Sequence, residues 1–179
     1  DLLSTSIVGD ELLKMIGENE APVMRLANPL TVELTCLQPS HRARLLEAVR
    51  ANEKSAAAGM AFEIGNVFIP SVDEGQLPDE VLSLGLVVWD REEKGQQGEA
   101  FFRAKGLIER MAQAVHAPLA FGKDFPKNAF WHPGRSASIH LGTAGIGTVG
   151  ELAPEARRRA GTESRVALAL IDIAEVVKG

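Results

Sequence analysis

The stretch His132-Pro133-Gly134-Arg135-Ser136 concentrates a rigid turn, a fork-shaped cation and a hydroxyl within five residues. An arginine so placed can hold a carboxylate or a phosphate, and a serine can act as a nucleophile. No Gly-x-Ser-x-Gly elbow surrounds Ser136. The sequence therefore favours a turn leading into a strand, with Arg135 pairing internally or across an interface. Gly145-Ile146-Gly147-Thr148-Val149-Gly150 has the glycine spacing of a dinucleotide fingerprint, and Asp172 lies where a ribose-binding acid could fall. A fingerprint must open a helix, whereas Pro154 follows soon after the last glycine and the Ile146–Leu152 region alternates like a strand. A hairpin is the expectation. His116, His132 and His140, with Asp124, match no helical histidine pair or short zinc pattern, and Cys36 has no companion thiol. Neither a metal nor a bound cofactor is expected in this chain. Glu63 stands between Phe62 and Ile64 in a strand-like run, so alternation turns it to the opposite face, partly exposed or satisfied by a basic partner.

The elements that must position these residues follow from periodicity. Leu12, Leu13 and Ile16 have helical spacing after Asp10, and Gly17 stops the helix. Val23 to Ala27 reads as a brief strand broken by Asn28-Pro29. Leu45, Leu46 and Val49 share one face of a helix from Ser40 to Asn52. Met60 to Ile69 reads as a buried strand ending at Pro70, and Leu82 to Trp89 as a central one. The polar stretch Asp90 to Gly98 is expected to be a flexible loop. Phe101 to His116 is a second long helix, with Gly106 as a small-residue contact point. Ser136–Leu141, Ile146–Leu152 and Arg165–Ile173 are strands joined by glycine-rich turns, which points to an antiparallel sheet and an α+β class.

Length and charge set outer limits. A chain of 179 residues with 45% hydrophobics suits one globular domain, 1–179. No apolar run approaches the roughly 20 residues of a membrane-spanning helix. A net charge of −5 argues against a surface built mainly for a phosphate backbone, and the clusters at Arg42/Arg44 and Arg157–Arg159 read as solvated faces. One cysteine and no signal-like start point to a reducing cytoplasm. The ends, Asp1 and Lys178-Gly179, look like those of an excised piece of a longer chain.

Six tags then occur in order: Asn28-Pro-Leu30, Leu45-Leu-Glu-Ala-Val-Arg-Ala-Asn52, Phe62-Glu-Ile-Gly-Asn-Val-Phe68, Phe101-Phe-Arg-Ala-Lys-Gly106, His132-Pro-Gly-Arg-Ser-Ala137 and Gly147-Thr-Val-Gly-Glu-Leu152. Together they resemble the catalytic-like, non-catalytic domain of the phenylalanyl-tRNA synthetase beta subunit. The resemblance implies a class II aminoacyl-tRNA synthetase-like antiparallel sheet flanked by helices. It implies a structural role beside the alpha subunit of a heterotetramer, where ATP and Mg belong to the alpha subunit and tRNA is met through the whole complex. The helix ending near Asn52 and the strand ending at Pro70 stand where such folds carry their interface-building motif. Leu45, Val49, Phe62 and Glu63 are thus interface candidates beside Arg135, and exposure of such a patch would promote self-association of the fragment. No second-motif arginine strand or third-motif strand ending in an ATP-holding arginine is visible. The chain departs from the family at Gln38-Pro-Ser-His-Arg-Ala-Arg44, and at Ala153-Pro154, where a histidine and proline are common. Two rivals remain: a stand-alone class II-like ligase with Arg135 or Arg103 on a phosphate, and a small-molecule binding module using the glycine-rich segment.

Overall fold

The run Leu84 to Trp89 is apolar on both faces, and such a strand must be covered from above and below. In the computed structural model, which describes residues 1–17, 22–71, 76–91, 99–125 and 128–177, it lies inside a sheet with helices on each side. The elements in chain order are β1 (Ile7–Val8), α1 (Asp10–Ile16), β2 (Cys36–Leu37), α2 (Arg42–Asn52), β3 (Ala58–Ile69), β4 (Asp79–Asp90), α3 (Ala100–Ala114), β5 (Leu119–Gly122), β6 (Trp131–Leu141), β7 (Ala144–Leu152), α4 (Pro154–Ala160), β8 (Arg165–Asp172) and α5 (Ala174–Val177). Among the described residues, six strands form one antiparallel sheet in the order β3-β4-β8-β7-β6-β5, and β1 pairs with β2 separately.

Strand alternation sends alternate side chains into two cores. On one side Leu13 and Ile16 of α1, Leu45, Leu46 and Val49 of α2, and Ala156 and Ala160 of α4 pack with Val87, Trp89, Val166 and Leu168. On the other, Ala100, Phe101, Ala104 and Ile108 of α3 pack on Leu84, Leu86, Val88, Val149, Ala167, Ala169 and Ile171. The alanines facing each other across that layer let α3 lie close to β8.

Local chemistry fixes the helix ends. Asp10 and Glu11 sit in the first turn of α1, where carboxylates suit the helix dipole, and Gly17 closes it in the left-handed conformation at φ 76°. The Arg159 guanidinium donates to the carbonyls of Met15 (3.3 Å) and Ile16 (3.4 Å), tying α4 to the end of α1. Pro154 opens α4 and Gly161 ends it at φ 66°.

Several expectations change. Val23–Ala27 forms no strand; Arg25 makes an isolated bridge with Cys36. The second long helix ends at Ala114, and His116 takes a left-handed φ of 55°. Gly106 is not a contact point, since a Cβ there would meet nothing within 4 Å. His132 to Ser136 lies within β6, where the register with β7 shifts between Trp131 and Ser136, so the proline and glycine make an irregularity rather than a turn before the strand. Residues 92–98 of the expected Asp90–Gly98 loop lie outside the described residues. The Arg42/Arg44 cluster is not a solvated face. Arg44 donates to the Ile7 carbonyl (2.6 Å) and the Thr5 hydroxyl (3.0 Å), and the Arg42 guanidinium lies 4.9 Å from the Phe130 ring centroid. The Arg157–Arg159 cluster divides: Arg158 pairs with Glu155 on the surface, while Arg159 caps α1.

Candidate subunit interface

Strand β3 is where the expectation of burial fails most informatively. Its apolar residues Met60, Phe62 and Ile64 stand opposite Val88, Leu86 and Leu84 of β4, on the side of the sheet that α3 covers. The β4 residues are buried, yet Met60 is 59%, Phe62 43% and Ile64 56% exposed. Helix α3 packs mainly on β8, β4 and β7, and the Met60–Ile64 row of β3 stays open beside it. The strand is also an edge, twelve residues long. Its outer rim receives the Leu2 N–H at the Phe62 carbonyl (2.7 Å) and gives the Phe68 N–H to the Gln38 carbonyl (3.0 Å), while the Gln38 amide donates to the Asn66 carbonyl (3.2 Å). The same parity turns the backbone groups of Met60 and Ile64 away from β4. A long apolar edge of this kind is normally covered.

The opposite face of β3 is closed. Glu63 is buried there, facing Gly85 across the β3–β4 pair. A Cβ at position 85 would stand 2.6 Å from the His41 Cβ, so the glycine makes the space that lets α2's leading histidine enter. His41 Nδ1 lies 3.3 Å from Glu63 Oε2, and its Nε2 donates to the Ser83 carbonyl at 3.1 Å. The hydroxyl and amide of Ser4 donate to Glu63 Oε1 at 2.6 and 3.1 Å. The partner expected for Glu63 is thus His41, from the Gln38–Arg44 segment. That segment is an internal bracket, which binds the N-terminal residues and α2 to β3.

The other candidates separate cleanly. Leu45 and Val49 are fully buried under their own sheet, so they are not interface residues; a helical apolar stripe does not state whose surface it meets. Phe62 is on the open face and Glu63 is not. Arg135 is half-buried with its Nε 2.7 Å from Glu151 Oε2, while Arg165 reaches Glu151 Oε1 through Nε (2.8 Å) and a terminal nitrogen (2.7 Å). Arg103 faces Asp90 at 3.7 Å on α3. The two arginines of the ligase alternative thus stand beside separate carboxylates on separate elements and do not converge on one site.

The candidate hydroxyl, Ser136, donates to the His132 carbonyl at 2.7 Å within its own strand, and a second serine joins the histidine chemistry. Ser138 donates to Asp124 Oδ1 at 2.5 Å, and His140 Nε2 lies 2.8 Å from the same hydroxyl and 3.2 Å from the same carboxylate oxygen. The Ser138 hydrogen bond holds the Asp124 carboxyl below its usual range. The Asp124 side chain is 67% exposed, so this is a hydrogen-bonded trio at the surface of the sheet. His132 and His116 stand apart from that pair, and among the described residues no three His, Cys, Asp or Glu side chains come together to hold a metal. Gly145, Gly147 and Gly150 all lie in β7, as the hairpin expectation has it; a Cβ on Gly147 would sit 2.2 Å from the Leu170 carbonyl of β8.

Two buried acceptors went unnoticed in the sequence. Glu53, just past α2, accepts from the Thr162 hydroxyl (2.6 Å) and the amides of Ser164 (3.0 Å) and Glu163 (3.2 Å). Burial pushes its carboxyl up, but these bonds together outweigh burial and leave it below its ordinary value. Glu151 is the other, held by the two arginines. Nothing in either local sequence distinguishes them from surface glutamates, except that Glu151 follows an apolar strand.

The antiparallel sheet with helices on both faces is the fold of class II aminoacyl-tRNA synthetases. Two structures of pyrrolysyl-tRNA synthetase from Desulfitobacterium hafniense match 98% of this chain and 60% and 61% of theirs, with TM-scores of 0.71 and 0.72 at 14% and 15% identity. The sequence narrows the class. The family model described as phenylalanyl tRNA synthetase beta chain CLM domain matches residues 1–173, and the chain belongs to that family. A phenylalanine–tRNA ligase beta subunit from Symbiobacterium thermophilum is 31% identical over 166 residues, covering 87% of this chain and 18% of the relative. One from Staphylococcus haemolyticus is 32% identical over 159 residues, covering 86% and 20%. The chain spans about a fifth of the length of these curated relatives. No described helix is long and apolar enough to cross a membrane.

Proposed function

We propose that this chain is a non-catalytic docking domain, which packs the open face and edge of β3 against the alpha subunit of a phenylalanine–tRNA ligase and so supports the active site that the alpha subunit carries. ATP and Mg bind in the alpha subunit, and tRNA meets the assembled complex. The observation that carries this reading is the exposed row Met60, Phe62 and Ile64 on a long edge strand whose other face is locked by Glu63 and His41. Apolar side chains held on a rigid strand suit the desolvated centre of an interface, where a few anchors contribute most of the affinity. Family membership supplies the partner: a beta subunit implies an alpha subunit.

Co-purification tests it. The chain should form a stable complex with the alpha subunit of the same source, and Phe62→Asp with Ile64→Asp should abolish that complex while the variant stays folded. A complex that survives the double substitution places the interface elsewhere. Amino-acid-dependent pyrophosphate exchange by the chain alone contradicts the non-catalytic assignment.

A further inference from the structure

Away from β3, the irregular segment of β6 and the ends of β7, α4 and β8 surround a pocket of about 340 Å³ lined by His132, Arg135, Glu151, Leu152, Pro154, Arg157 and Arg165. Glu151 is buried and acts as a brace: one oxygen receives two nitrogens of Arg165, and the other touches Arg135 Nε. The Arg165 guanidinium is thereby fixed before any ligand arrives and Arg135 is drawn to the same carboxylate, which lowers the ordering cost of binding. The Arg157 guanidinium makes no hydrogen bond or ion pair among the described residues, and neither do the terminal nitrogens of Arg135. His132 Nδ1 accepts the Gly134 N–H at 3.1 Å, which leaves the ring proton on Nε2 as a further donor. Burial and then the nearby Arg135 charge push the His132 imidazole below its ordinary value, so it stays neutral near pH 7.

The charge balance selects the ligand. With His132 neutral, the lining residues, three arginines and the single carboxylate of Glu151, carry a net charge of +2. We infer that this pocket binds a phosphate monoester or inorganic phosphate, a group that carries about −1.5 to −2 near neutral pH. A carboxylate or an RNA backbone phosphodiester, each with a single negative charge, would leave one guanidinium uncompensated. Arginine forks match the phosphate oxygens in pairs, and unsatisfied donors on Arg157 and Arg135 are the groups available to do so. This site is separate from β3 and stands whether or not β3 docks the alpha subunit.

Titration calorimetry on the 179-residue chain at low ionic strength tests the inference with inorganic phosphate, acetate, and a dinucleotide with and without a 5′-phosphate. Phosphate and the 5′-phosphorylated dinucleotide should compete for one site, and acetate and the unphosphorylated dinucleotide should bind at least about tenfold more weakly, the factor expected for losing a charge-assisted contact. Arg157→Gln should weaken phosphate by about tenfold or more with the thermal midpoint unchanged, because Arg157 braces nothing. Arg135→Gln should weaken it further. Should Arg135→Gln fail to fold, Arg157→Gln alone decides. Equal binding of acetate and phosphate, equal binding of the two dinucleotides, or phosphate binding indifferent to Arg157→Gln overturns the assignment.

Discussion

On the side of the sheet that carries α3, two neighbouring regions have the same strand pattern and opposite fates. Along β4 and β8, Leu86, Val88, Ala167, Ala169 and Ile171 are buried under α3. One strand over, Met60, Phe62 and Ile64 of β3 repeat the alternation and stand open. The difference lies in the layer above, since among the described residues a helix covers the middle of the sheet and none covers its β3 edge. Below β3, in contrast, the structure is closed by a polar lock of Glu63, His41 and Ser4. An apolar row held rigid from beneath and left bare above is the arrangement that the proposed docking role requires.

Four substitutions break or sharpen that contrast. Glu63→Ala removes the acceptor for both Ser4 donors and the carboxylate beside His41 from a buried setting and leaves a cavity, and should cost about 3–5 kcal/mol in denaturant unfolding. Ile108→Ala opens a cavity in the α3 layer and should cost about 2–5 kcal/mol by the same measurement. Glu53→Gln strips part of the bracket between α2 and the approach to β8, at about 1–3 kcal/mol near neutral pH. Because hydrogen bonding holds the Glu53 carboxyl below its unfolded value, its contribution is full above the unfolded carboxyl range and fades as pH falls through the folded value. The wild type should therefore lose more stability than Glu53→Gln across that acidic window. Ile64→Ala, on the open face, should change stability by no more than about 0.5 kcal/mol. An Ile64→Ala cost equal to that of Ile108→Ala in the isolated chain would show that β3 is covered after all.

The residues themselves show what was legible in advance. Alternation placed Glu63 opposite Phe62 and Ile64, and the near-continuous apolar run placed β4 inside the sheet; both readings depend only on local period. Strand order is not local, so the burial expected for β3 failed: Met60 to Ile64 carries the pattern of a covered strand, and only the topology reveals that it is an edge. Leu45 and Val49 failed for the converse reason, since an apolar helical stripe fits an own sheet and a partner equally. Pro154 argues against a helix opening at the last glycine, and Gly150 indeed stays in β7; the proline instead begins α4, the role its fixed φ and missing N–H suit. The lock at His41 had one trace in the sequence, the departure at Gln38–Arg44, and its meaning required Gly85 to be seen across from Glu63. The phosphate pocket had a trace in Arg135, but Glu151, Arg157 and Arg165 meet it only through folding.

The most direct test of the β3 assignment is backbone hydrogen exchange of the chain with and without the alpha subunit. The account predicts strong added protection at the amides of Met60 and Ile64, with little change in β8, whose backbone bonds are already buried in the sheet. Complex formation that leaves the β3 amides exchanging at their free rate would contradict it.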